Sequence, residues 1–170
     1  MEPAELRYAD CPTTETELLI SAPPAAVWSL VCDIEIPARF SSEFQGGQWL
    51  DGATGPGLGA RFRGRNHHPA RGSWETVSTV CELEPERVFG WAVGDPAAPA
   101  ARWRFTLEPD GPGTRARQWM QMGPGASGIS ELIQQMPDKE HRILQRRLAE
   151  HRANMAATLA GIKAMAETAE

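Results

Sequence analysis

Between residues 60 and 122 the chain alternates, several times over, between charged and aromatic side chains. Successive residues of an extended strand point to opposite faces, so this pattern fixes which face is which. In 61–68, Phe62, Gly64, Asn66 and His68 share one face, and Arg61, Arg63 and Arg65 share the other. In 74–80, Trp74, Thr76, Ser78 and Val80 oppose Glu75, Val77 and Thr79. Phe89, Trp91 and Val93 align, as do Trp103, Phe105 and Leu107 against Arg102 and Arg104. In 116–122, Ala116, Gln118, Met120 and Met122 oppose Arg115, Arg117 and Trp119. Unpaired charge is rarely buried, so the arginine face points outward and the aromatic face inward.

These strands sit in a longer order. Residues 1–12 read as a flexible N-terminal arm, and 13–170 as a single domain. Residues 13–22 alternate as a first strand. Pro23-Pro24 open a short helix through about residue 33, and Pro37 marks a second. Strands then follow at 43–50, 60–68, 73–83, 88–93, 102–107 and 114–122, with Asp110-Gly111 as a hairpin-type turn. Short turns between successive strands imply an antiparallel meander. Residues 123–137 form a Gly-rich hinge and a short apolar segment, the expected lid. Asp138 is placed to cap a helix running to residue 167, about 45 Å long. On that helix Leu144, Leu148, His151, Met155, Leu159 and Ile162 recur every three or four residues, one apolar stripe. The expected fold is α+β: a seven-stranded antiparallel sheet curled around a long C-terminal helix, with two short helices after the first strand.

A curled sheet and a rod do not close perfectly, and the inner-face residues suit a cavity between them. Phe62, Trp74, Trp91, Trp103, Phe105 and Met120 give apolar walls. Asn66, His68, Thr76, Ser78 and Gln118 add neutral polar groups. Each of these, buried and unpaired, would cost roughly 1–3 kcal/mol. A cavity holding water or a ligand removes that cost, and broad aromatic walls with a few polar groups are what small-molecule pockets need.

Composition excludes several other classes. A net charge of −5 argues against nucleic acid as a partner. Fifteen of the 17 basic residues are Arg. No apolar run reaches the ~20 residues of a membrane span, and the polar, acidic N-terminus reads as no secretion signal, so a cytoplasmic protein is expected. Cys11, Cys32 and Cys81 are scattered and form no CxxC, which indicates neither a zinc site nor a disulfide framework. His67 and His68 are adjacent on a strand and point to opposite faces, so they do not share one metal ion. DGATGPGLG (51–59) lacks the Lys-Ser/Thr ending of a phosphate loop and precedes a strand rather than a helix. No metal and no cofactor are expected.

The segments ISAPPAAVWSLVCD (20–33), GARFRGRNHH (59–68), WETVSTVCELEPERVFGWAV (74–93), RWRFTLEPDGPGTRARQWM (102–120) and HRANMAATLAGIKAMAE (151–167) together resemble the SRPBCC superfamily. That superfamily has the START-like helix-grip fold, and the nearest branch is the bacterial polyketide cyclase/dehydrase-like proteins. The resemblance covers nearly the whole chain beyond residue 12. It implies a hydrophobic cavity and apolar guests: lipids, sterols, polyketides or other aromatics. Similar sequences place Glu where this chain has Gln118.

Three functions follow as expectations. The first is binding of a small hydrophobic molecule, aromatic, polyketide- or lipid-like, in the internal cavity, by a monomer or homodimer. Its ligand-binding residues would be Phe62, Trp74, Thr76, Ser78, Trp91, Trp103, Phe105, Met120 and His151. The second is a cyclase or aromatase in the same cavity, with His68, Asn66 and Gln118 as catalytic residues for general acid–base work. The third is a stress-response protein-interaction module acting through the arginine face, unless those arginines pair across strands with Glu15, Glu17 and Glu75.

Overall fold

In the computed structural model, which describes residues 4–169, the strand periodicity becomes one sheet. The first strand, β1 (Thr13–Ile20), alternates exposed and sheltered residues until Ile20, which is fully buried. Pro24 opens α1 (Pro24–Val31), and a 3-10 turn follows over Ile36–Arg39. Six strands come next: β2 (Phe44–Trp49), β3 (Arg61–His68), β4 (Gly72–Glu84), β5 (Val88–Val93), β6 (Ala101–Asp110) and β7 (Gly113–Met122). All pairings are antiparallel, in the order β1-β7-β6-β5-β4-β3-β2. The meander therefore runs from β2 to β7, and β1 returns to cover its far edge.

The sheet curls because its strands are interrupted where they must bend. Register shifts occur between Phe44 and Gly46 in β2 and between Val80 and Glu82 in β4. Such bulges bend a strand and increase its twist. The outer face carries the expected charge ladders. Arg117 and Arg115 meet Glu17 at 2.6 and 2.8 Å, and Arg115 also meets Asp110. Arg104 meets Glu82 at 2.6 Å, Arg61 meets Asp51 at 2.8 Å, and Arg63 lies 3.6 Å from Glu75. Trp119 stays on this face under the Arg104 guanidinium, 4.6 Å from the ring centre.

After β7 the chain forms α2 (Gly128–Gln135), whose Ile129 and Ile133 are buried one turn apart. Ser127 caps it: its Oγ accepts from Ser130 N–H while Ser130 Oγ accepts from Ser127 N–H. The long helix is α3 (Glu140–Thr168). Asp138 does not cap it. Pro137 starts a 3-10 turn over Pro137–Lys139, so Asp138 lies inside that turn, and the Lys139 position that precedes α3 makes no side-chain cap. Leu144, His151, Met155, Leu159 and Ile162 are buried along the expected stripe, and Leu148 is half-buried.

The segment expected as a loose arm makes specific contacts over its described residues. Leu6 N–H donates to His141 Nδ1 at 2.9 Å, and Tyr8 N–H donates to the Glu140 carboxylate at 2.7 Å. The buried Tyr8 hydroxyl donates to Gly125 O at 2.6 Å and lies 3.1 Å from Ser127 Oγ. At Gly123, whose φ is +71°, a Cβ would stand 3.0 Å from the Tyr8 ring, a tight approach.

Apolar burial falls into two groups rather than one. Ile20, Val27, Phe89, Phe105, Leu159 and Ile162 belong to the first, between α1, the sheet and the C-terminal half of α3. Tyr8, Met120, Met122, Ile129, Leu144 and Met155 belong to the second, beneath α2. The first group depends on a close approach at Gly161, where a Cβ would stand 2.4 Å from the Phe40 ring. Alanine is favoured over glycine in a helix by about 1 kcal/mol, but overpacking costs typically 1–3 kcal/mol. Gly161→Ala should therefore lower the urea midpoint. An unchanged or raised midpoint would show that the Phe40 ring moves aside freely.

Candidate functional site

A cavity of about 560 Å³ touches both apolar groups and the concave face of the sheet. Strands β2 to β7 contribute through their inward sides. Phe62 and Asn66 come from β3, Trp74, Thr76 and Ser78 from β4, and Trp91 from β5. Trp103 and Phe105 come from β6, and Gln118 and Met120 from β7. Ile129 of α2 and His151 of α3 complete the wall. Trp91 sits at the centre of the aromatic set, with ring centres of Phe89, Phe62 and Phe105 at 5.1, 5.8 and 6.0 Å. Tilted and edge-on contacts of this kind are the favoured aromatic geometries.

The Gln118 side chain is buried at 5% exposure, and among the described residues its Oε1 has no hydrogen-bond partner. Leaving such an acceptor unpaired costs about 1–3 kcal/mol, and Gln118 is one of the residues that line the cavity.

Sequence periodicity missed the polar side of α3. Arg147, His151, Asn154 and Thr158 recur at spacings of four, three and four, and all line the cavity. The signal was present: Arg147, Asn154 and Thr158 fall on the same helical rows as His151. Arg147 is 6% exposed and grips both oxygens of buried Glu43, at 2.6 and 2.8 Å. It also donates to Glu150 at 3.0 Å. Arg71, in the turn before β4, lines the same region and lies 3.7 Å from Glu150.

His68 is the correction among the expected site residues. It is on the inner side, but the cavity wall does not include it. Ala70 N–H donates to its Nδ1 at 3.0 Å, which leaves Nε2 to meet Glu150 at 3.3 Å. The strand has run past the cavity by this residue, so His68 is separated from Gln118 and joins a charged cluster instead. Its neighbour His67 faces outward, with Nδ1 3.0 Å from Ser73 Oγ. Ligand atoms of Glu43, His68 and Glu150 lie within 4.8 Å of one another. Arg147 already supplies the cation to both carboxylates there.

Burial, reinforced by the Arg147 and Arg71 charges, pushes the His151 imidazole well below the ordinary histidine range. It is therefore neutral, with its ring edge-on to Trp103 at 5.1 Å. For Glu150, burial disfavours the charge, but the Arg147 hydrogen bond and charge, with His68, outweigh it and hold the carboxyl below its usual range. Burial alone pushes the Cys32 thiol up to about 12, which makes it a poor nucleophile.

Residues 12–161 match the family described as polyketide cyclase/dehydrase and lipid transport. The chain belongs to this family. A polyketide-cyclase-like protein of Corynebacterium glutamicum, Cgl2372, is 34% identical, with 91% of each chain covered and a TM-score of 0.63. The Zhui aromatase/cyclase of Streptomyces sp. R1128 shares the fold at 20% identity, over 92% of this chain and 93% of its own, with a TM-score of 0.62. The di-domain ARO/CYC protein BexL of the BE-7585A biosynthetic pathway does so at 18% identity and a TM-score of 0.69. That match covers 96% of this chain and 52% of BexL. No curated protein matches the sequence. Among the described residues, no helix is long and apolar enough to cross a membrane.

In this member of the polyketide cyclase/dehydrase family, the neutral His151 sets a pH dependence. An unfolded chain takes up a proton on this histidine below about pH 6.5, and the folded one does not. Stability is then complete above that pH and falls below it, by up to about 1.4 kcal/mol per pH unit. Urea unfolding at about pH 7.5 and pH 5.5 should show this loss, and His151→Gln should reduce it. Equal losses in the two proteins would mean that His151 is protonated in the folded state.

Proposed function

We propose that this protein binds a planar aromatic or polyketide-like molecule in the cavity, with a donor group of the guest held by Gln118 Oε1. The orphaned amide oxygen carries the reading. A purely apolar guest leaves it unpaired, and a guest with a hydroxyl satisfies it. The volume falls within the roughly 300–1,000 Å³ of drug-sized ligand sites. The walls favour flat rings, because Trp74, Trp91 and Trp103 present faces and edges rather than flexible chains. The family's description and the names of Zhui and BexL agree with guests of this class.

The test uses quenching of tryptophan fluorescence by 2-naphthol and by 2-methoxynaphthalene, which differ by the donor. One hydrogen bond to a buried acceptor corresponds to about a fivefold to tenfold preference for the naphthol. Gln118→Leu should bind both equally. If neither compound quenches the wild type, the cavity is not a site for aromatic guests.

A second reading, ring closure or aromatisation of a poly-keto chain, has one observation in its favour. His151 faces the cavity as a neutral imidazole under the influence of Arg71 and Arg147. Neutral imidazole accepts a proton, and nearby guanidinium groups stabilise a developing enolate. On a synthetic poly-β-keto thioester, wild-type turnover that drops at least ~100-fold in His151→Gln with binding retained supports this reading. Absence of turnover in the wild type leaves a carrier.

A further inference from the structure

We infer that the cavity takes its guest as a free carboxylic acid, with the Arg71 guanidinium holding the carboxylate. This rests on the cavity being a ligand site, and it adds the chemical class of the guest's polar end. Arg71 is anchored by its backbone: its N–H donates to His68 O at 3.0 Å, and Gly72 follows at φ +76°. The side chain then turns inward over the Trp74 ring, with its guanidinium carbon 5.7 Å from the centroid. There it lines the cavity.

Among the described residues no acceptor reaches this guanidinium within hydrogen-bond distance. The nearby carboxylates are occupied. Both Glu43 oxygens are held by Arg147. Glu150 Oε2, 3.7 Å from Arg71, already receives Arg147 at 3.0 Å and His68 at 3.3 Å, and Arg146 lies 3.4 Å from Oε1. Arg147 takes up the hydrogen-bonding positions of both interior carboxylates, and Arg146 reaches Glu150 from the solvent side, so Arg71 is left without a hydrogen-bonded counterion of its own among the described residues. Burial and the Arg147 charge weigh against the charged form of Arg71, and Glu43 and Glu150 offset this only in part. An anion in the cavity would give that guanidinium the hydrogen-bonded partner it lacks. A guanidinium offers five donors in a planar fork that matches a carboxylate.

The position also suits a guest that is polar at two ends. Gln118 pairs with Phe105, which pairs with Phe89, which meets β4 at Leu83. Arg71 precedes Gly72, at the opposite end of β4. The aromatic walls lie between the two.

Calorimetric titration with 2-naphthoate and with methyl 2-naphthoate, at a pH of about 8 where the acid is ionised, tests the assignment. The wild type should bind the acid at least about tenfold more tightly than the ester, the size of a charge-assisted pair. Arg71→Gln should bring the ratio near one without weakening the ester, and Arg71→Lys should keep part of it. Added salt should weaken the acid and spare the ester, a readout that needs no variant. A wild-type ratio near one, or a ratio untouched by Arg71→Gln, overturns the inference while leaving the cavity as a site for neutral guests. If 2-naphthol, the acid and the ester all fail to bind the wild type, both this inference and the ligand-site reading fall.

Discussion

Arg147 ties the helix, the sheet and the cavity together. It projects from α3, is almost wholly buried, and holds Glu43 at the start of β2 through two short hydrogen bonds. Removing two charges from water costs several kcal/mol per ion, and only well-formed geometry offsets that. Glu150 supplies the third bond and brings His68 and Arg71 into the same network. The network thus fastens this stretch of α3 to the segment that opens β2, at the rim of the sheet.

The consequence is a core in two parts. Leu159, Ile162 and Ala166 close one end of α3 against β1 and α1, and Leu144 and Met155 close the other beneath α2. Between them the helix shows Arg147, His151, Asn154 and Thr158 to the cavity. The second part borrows from the chain's beginning: Tyr8 fills it and fastens the loop at Gly125 and Ser127, just before α2. α2 therefore covers the cavity as a capped helix held from behind by a hydroxyl.

How much of this was legible in the sequence depends on which period carried the information. A period of two, with arginine against tryptophan, separated the faces of β3, β6 and β7 and placed Trp119 outside. It gave the side of each residue but not its distance along the strand. His68 has the right side and lies beyond the cavity's end. On α3 the apolar residues dominate the helical period, so Arg147 reads as a solvated charge although it lies on the stripe that meets the sheet. Its partner Glu43 is 104 residues away, and no local pattern connects them. Tyr8 stands alone in a polar segment too short to show any period. Asp138 had the right chemistry for a cap, but Pro137 fixed the backbone one turn too early.

Three of the polar side chains that line the cavity, Gln118, Arg71 and His151, differ in kind, and this difference bears on the guest more than the volume does. Gln118 offers an acceptor with no partner. Arg71 offers donors and a positive charge that the neighbouring carboxylates do not fully answer. His151, held neutral, adds no charge to compete for an anion. The tryptophans and phenylalanines between them reward flat apolar surface, at about 25 cal/mol for each Å² removed from water. A dry hydrocarbon would gain the last of these and forfeit the other two. A rigid aromatic acid bearing a hydroxyl at its far end would answer all three.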